Sequence, residues 1–297
     1  MDSVELANSR DAYNLIEPLK DFPQQKMHIT TDVTIPLIHN KFGHTLMSVS
    51  KSGQLEDFVF DTGAALSVVS ESCAQRMGIR VLESSGNIGN SIGSKVKSKI
   101  GFADSLRIGN ILFENVAFLV LPDESLSSSE ANYTINGVIG FPVMYQMKEM
   151  AISKDSITVS AHPKERNLHN LFFDGLSPIV RFEVNGDTVQ FKMDTGADTS
   201  EFSKKYFVAN SSKIIENATK KTLKRGGAGG IIESEVYELK NVHLKIGGQI
   251  LTVPNIDVYT NEFSFLRYYD GNLGQDVLSH FNKFILNFKD MYVAFED

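Results

Sequence analysis

Two tripeptides of identical composition, Asp61-Thr62-Gly63 and Asp194-Thr195-Gly196, each end a strand-like run, FVF in the first case and FKM in the second. The three residue types suit one kind of chemistry. Asp places a carboxylate at the mouth of a loop. Thr offers a hydroxyl that can bond back to main chain and lock the loop. Gly allows a tight turn and leaves its N–H free to donate to the carboxylate. If the two loops meet, two carboxylates a few Å apart repel by about 4 kcal/mol at an effective dielectric near 20. That separates their ionisations by about three pH units, so one proton is shared over a broad acidic range. Such a pair can hydrolyse an amide. The ionised member takes a proton from water and the protonated member donates to the carbonyl, giving a neutral gem-diol without metal or covalent step.

The elements that would position these loops are duplicated. Phe60-Asp61-Thr62-Gly63-Ala64 is followed by Val138-Ile139-Gly140, and Met193-Asp194-Thr195-Gly196-Ala197 by Asn272-Leu273-Gly274. The interval is 79 residues from Asp61 to Gly140 and 80 from Asp194 to Gly274. One Asp-Thr-Gly is a weak signal, and two Asp-x-Gly turns that merely cap their own backbone are the competing reading. Matched spacing in both halves favours chemistry. Each loop also follows an earlier proline-bearing strand, with Pro36 in VTIPLI and Pro178 in LSPIVRF, and each half closes on a hairpin, ISKDSITVSA and FILNFKDMYVAFE. Between these lie short β-branched and aromatic runs and the turn Asn185-Gly186-Asp187. Helix-like stretches are few: Ser70–Met77, Val143–Met147, Asp276–His280, and an amphipathic segment over residues 3–20. The expectation is an all-β chain made of two copies of one β-unit. Residues 1–28 form an N-terminal helical extension, 29–161 the first lobe, 162–169 a linker and 170–297 the second lobe.

The stretches FVFDTGAALSVVS with GVIGFPVM, and FKMDTGADTSEFS with GNLGQDVLSHFNKFILNF, resemble the retropepsin-like aspartic peptidases, especially bacterial pepsin/retropepsin-like members. The resemblance runs from about residue 30 to 297. It implies a two-lobed acid-protease fold with Asp61 and Asp194 as the catalytic pair. Thr62, Gly63, Thr195 and Gly196 would support the catalytic loops, with the threonines interlocking them. Gly140 and Gly274 would close an apolar-apolar-Gly strand threaded through each lobe. The flaps would fall on Gly86–Ser94, with Gly86, Gly89 and Gly93, and on Gly226–Gly230, with Gly227 and Gly229. Both halves carry Ala after the motif, Ala64 and Ala197, which is the retropepsin habit. The flap tyrosine of pepsins has no counterpart in Gly86–Ser94.

Composition narrows the alternatives. The chain of 297 residues is 42% hydrophobic with a formal net charge of -7, so nucleic acid is an unfavoured partner. No apolar run reaches membrane-spanning length. Cys73 is the single cysteine, which excludes an internal disulfide and reads as a small apolar residue in a short helix. The seven histidines show no metal-binding spacing, and His280 reads as a partly buried structural residue. Arg225–Gly230 is glycine-rich but lacks the Lys-Ser/Thr of a phosphate loop. No cofactor or metal is expected. The partner is an extended peptide or protein substrate, and one chain carrying both motifs needs no second copy. Met1-Asp2-Ser3-Val4 has no signal-peptide character. The expectation is a secreted or periplasmic protein whose leader is not part of this sequence, with a cytosolic one as the alternative. The rival function is a peptide-binding or sensor module that keeps the fold without turnover.

Overall fold

The computed structural model describes residues 13–83, 86–89, 95–128, 132–227 and 230–296. Strands dominate and the helices are short, as the β-branched and aromatic runs lead one to expect. Six strands carry the argument: β1 (Gln54–Phe60), β2 (Val68–Ser70), β3 (Gly137–Ile139), β4 (Asp187–Met193), β5 (Glu201–Phe202) and β6 (Gly271–Leu273).

In the first half, β2 lies parallel to Ile111–Leu121 and antiparallel to β3, and β3 runs parallel to β1. In the second, β5 lies parallel to Gln249–Tyr259 and antiparallel to β6, and β6 runs parallel to β4. The neighbour of β1 is Thr45–Lys51 and that of β4 is Ser177–Val184. Thus β3 and β6 are each threaded between two strands of their own half, and all their residues are buried. A third sheet of five strands joins the halves: its order is Val33–Pro36, Ser156–Val159, Glu149–Ser153, Lys283–Asn287, Tyr292–Glu296. The two closing hairpins expected from the sequence pair with each other here, Met150 opposite Leu286. The proline-bearing strands are therefore not equivalent. The Pro36 strand belongs to the joining sheet, while the Pro178 strand pairs directly with β4.

Asn185 and Gly186 both adopt positive φ, 51° and 92°, the conformation a two-residue hairpin turn between twisted strands requires. Three helices fall where expected: α1 (Glu71–Arg76), α2 (Phe141–Met147) and, further on, the short Gln275–Leu278. Ser70 caps α1 by accepting from the Cys73 N–H at 3.2 Å. One helix was not expected, α3 (Lys204–Asn217), which follows the second Asp-Thr-Gly loop. Its Asn210 departs from helical geometry (φ -123°, ψ 16°), and only Ile214 is buried. Tertiary contacts hold it: Tyr206 stacks on Phe202 at 3.9 Å and Phe207 on Tyr237 at 5.4 Å. Residues 13–16 are helical and Leu15 is buried against Ile100 and Leu119; the start of the expected N-terminal helix lies outside the described residues. No helix among the described residues is long and apolar enough to cross a membrane.

Candidate active site

The two Asp-Thr-Gly loops leave the ends of β1 and β4 and meet. Thr62 donates its N–H to Thr195 Oγ1, and Thr195 donates its N–H to Thr62 Oγ1, both at 3.0 Å. Each hydroxyl then donates across to the other strand, Thr62 Oγ1 to Met193 O at 2.9 Å and Thr195 Oγ1 to Phe60 O at 3.0 Å. Both threonines are buried, so this four-bond lock is shielded from water. The lock fixes the aspartates. Gly63 N–H donates to Asp61 Oδ1 at 2.7 Å and Gly196 N–H to Asp194 Oδ1 at 3.1 Å.

Each carboxylate also packs on the other loop's glycine. A Cβ on Gly63 would lie 2.5 Å from Asp194 Cγ, and one on Gly196 would lie 2.5 Å from Asp61 Cγ. No side chain larger than hydrogen fits between loop and carboxylate, which is a physical reason for glycine at both third positions. Each carboxylate thus lies against the opposite loop, and both aspartates keep part of their surface open to solvent. Withdrawal from water, followed by the charge of Asp194, pushes the Asp61 carboxyl up to about 7, against an opposing pull from Lys192.

The threaded strands hold the loops from below in the same way twice. Asp61 N–H donates to Ile139 O at 3.2 Å and Asp194 N–H to Leu273 O at 3.0 Å. Phe141 N–H returns to Ala64 O and Gln275 N–H to Ala197 O, both at 2.9 Å. Gly140 and Gly274 sit where a Cβ would come within 2.6 Å of the backbone at Leu66 and Thr199 respectively. Their N–H groups donate to Ser67 Oγ at 3.1 Å and Ser200 Oγ at 2.9 Å. These two buried serines were missed in the sequence, although each stands six residues after its aspartate.

The segments expected to hold flaps pair antiparallel with their neighbours where they are described. Gly86 to Gly89 pair with Ser98 to Lys95, and Gly227 pairs with Gly230; Gly93 and Gly229 lie outside the described residues. Cys73 is buried, and burial followed by Glu56 pushes its thiol up to about 12, the condition of an inert thiol. His280 departs from expectation. It is exposed, its Nδ1 2.7 Å from Asp276 O, because the turn after Gln275–Leu278 points outward.

Three further side chains touch the loops and have no counterpart across the centre. Asn272 Nδ2 donates to Asp194 Oδ2 at 2.9 Å, and Lys192 Nζ donates to Gly63 O at 2.8 Å. The third is Gln275, whose Nε2 donates to Thr195 O at 2.8 Å where the first lobe has Phe141. The sequence reading singled out none of the three.

Residues 47–143 match a family model described as aspartyl protease. That stretch includes Asp61 and Gly140 but not Asp194. No curated protein matches the chain. Among solved structures, conglutin gamma, described as a unique basic 7S globulin from lupine seeds, is similar with a TM-score of 0.55 at 9% identity, covering 91% of this chain and 95% of its own. The basic 7S globulin from soybean is similar with a TM-score of 0.56 at 11% identity, covering 90% of this chain and 95% of its own. The resemblance to aspartic proteases read from the motifs therefore holds, and the chain has a two-lobed, pepsin-like all-β fold.

Proposed function

We propose that this chain is an aspartic endopeptidase, with Asp61 and Asp194 as its catalytic pair. The observation that carries the reading is the reciprocal packing of each carboxylate on the opposite loop's glycine, locked by the crossed threonine bonds. A pair held this close shares one proton. The ionised carboxylate takes a proton from a water lying in the solvent-open surface above it as the water oxygen attacks the peptide carbonyl. The protonated carboxyl donates to the carbonyl oxygen, and collapse of the gem-diol returns a proton to the leaving amine. Thr62, Thr195, Gly63 and Gly196 hold the geometry, and Gly140 and Gly274 close the supports beneath it.

Both loops come from one chain, so a monomer suffices. We assign residues 29–161 and 170–297 to the two lobes and 162–169 to the connector, and Gly86–Ser94 and Gly226–Gly230 to the flaps. The substrate is an extended peptide, whose backbone is best satisfied by strand edges. The test is incubation with a diverse peptide library between pH 3 and 7, reading the cut products by mass. Cleavage at internal bonds, blocked by a tetrahedral-intermediate mimic such as a statine peptide, is expected. Tight peptide binding without product at any pH, and with no preference for the mimic, would move the assignment to a peptide-binding module.

A further inference from the structure

The crossed bonds and glycine contacts treat the two loops alike, but the strands beneath them do not. In the first lobe Val59 on β1 lies beside Val138 on β3. In the second, Lys192 on β4 lies beside Asn272 on β6, at the same positions relative to Asp-Thr-Gly and to the threaded glycine. Two valines can neither donate nor carry charge. Lys192 donates and carries charge, Asn272 donates, both within bonding distance of the loops, and they are buried at 7% and 0% exposure.

We propose that Lys192 and Asn272 are positioning residues that break the symmetry of the carboxylate pair, Lys192 holding it at one negative charge and Asn272 placing that charge on Asp194, so that Asp61 is the proton donor. This rests on the peptidase reading of the same site. Asp194 accepts two N–H donors, from Gly196 and Asn272, whereas Asp61 accepts only the one from Gly63 among the described bonds. Hydrogen bonds donated to an ionised carboxylate stabilise the ion more than the acid. Lys192 supplies the countercharge. Its ammonium is tied across the lobes to the carbonyl of Gly63, whose own N–H holds Asp61, and it acts against the rise of the Asp61 carboxyl. A carboxylate partly withdrawn from water is less costly with a buried cation nearby than alone.

The row carries further charge on the side away from Lys192: Glu201, buried beside Asn272, then Asp257 and Glu238, the last two paired with Lys221 at 2.9 and 2.5 Å. Asp276, beyond Gly274, accepts from Ser200 N–H and Oγ, both at 2.7 Å. Among the described residues Asn272 Oδ1 is buried with no hydrogen-bond partner, so its amide is oriented by the bond it donates to Asp194.

The test follows the carbon-13 carboxyl resonances of both aspartates against pH in the wild-type chain and in Asn272→Val, Lys192→Met and Lys192→Arg. Peptide turnover is read on the same samples. In the wild type the acid-side step should fall on Asp194 and the step nearer neutrality on Asp61. Asn272→Val should move the acid-side step up by about one pH unit and spread it over both residues. Lys192→Met should raise both steps, and Lys192→Arg should restore them. The acid limb of kcat/KM should move with the first step while KM changes little. If Asn272→Val does not fold, Asn272→Ala reads the same donor. Steps within about 0.3 pH unit of wild type in both Asn272→Val and Lys192→Met would overturn the proposal. A wild-type chain that titrates asymmetrically but cleaves nothing would instead remove the peptidase reading, and with it the proton-donor role of Asp61, while the placement of the charge on Asp194 would stand.

Discussion

In the N-terminal lobe Val59, Val138, Val68, Leu119 and Ile100 stand side by side across five neighbouring strands. In the C-terminal lobe the equivalent places hold Lys192, Asn272, Glu201, Asp257 and Glu238. Residues opposite one another in register share a face, so one lobe turns an apolar row to the side where the other turns a charged one. The apolar row is sealed at its far end by Leu15 and Leu19 from the N-terminal segment. At the corresponding end of the charged row, Lys221 Nζ lies 2.9 Å from Asp257 and 2.5 Å from Glu238. Yet the backbone bonds that support the two Asp-Thr-Gly loops agree within 0.2 Å, 3.2 and 3.0 Å for the aspartate N–H groups and 2.9 Å for both returning bonds. The frame is thus set by main-chain bonding and by glycines, and it tolerates opposite side-chain chemistry on one face. That tolerance is what lets a symmetric scaffold hold an asymmetric centre.

The symmetric part should break symmetrically and hard. Gly140→Ala and Gly274→Ala each drive a methyl into backbone that cannot retreat, so each should cost about 3 kcal/mol or prevent folding. Chemical denaturation should find the two losses equal within error. A Gly274→Ala chain as stable as wild type, beside a crippled Gly140→Ala, would mean the two threaded strands are not equivalent supports.

The row should respond unequally. Val138→Asn places an amide among Leu46, Val59 and Val138's other apolar neighbours, where it lacks a partner, and should cost about 2 kcal/mol. Asn272→Val in the other lobe removes one donated bond and leaves an unpaired carboxylate lone pair that solvent can reach, so it should cost about 1 kcal/mol. Equal losses in the two variants would dissolve the contrast drawn above.

The duplication was legible in the sequence because each of its marks, Asp-Thr-Gly and the later apolar-apolar-Gly, is a backbone requirement tied to particular residue types. The positions between those marks read as strand filler. Lys192 in FKM and Asn272 in GNLG therefore went unweighed, although setting them against Val59 in FVF and Val138 in GVIG exposes the substitution of charge and amide for two valines. Ser67 and Ser200 carried a usable signal in their common offset. Helix α3 carried little. Its Asn210-Ser211-Ser212 centre interrupts the periodicity, and its formation depends on Tyr206 and Phe207 finding Phe202 and Tyr237, partners distant or silent in local pattern.

The smallest effect expected is on stability against pH. The Asp61 carboxyl is raised in the folded chain, to about 7 from 3.8. The stability it contributes is therefore complete below its unfolded value and is lost as pH rises through about 7. Asp61→Asn removes that dependence. The variant should melt a few degrees above wild type at pH 8 and lose this advantage by pH 4. An advantage that grew toward acid would put the repulsion elsewhere.

The central claim is that Asp61 and Asp194 act as one proton-sharing pair, and single amide substitutions test it most directly. Turnover of a cleaved library peptide should be measured for Asp61→Asn and Asp194→Asn, with folding checked by circular dichroism. Because an asparagine can neither accept the water's proton nor supply a carboxylic one, each variant should lose at least about a thousandfold in kcat/KM while remaining folded. The two losses should be comparable, and the double variant hardly worse than either. A folded single variant that retains turnover near that of wild type would contradict the account.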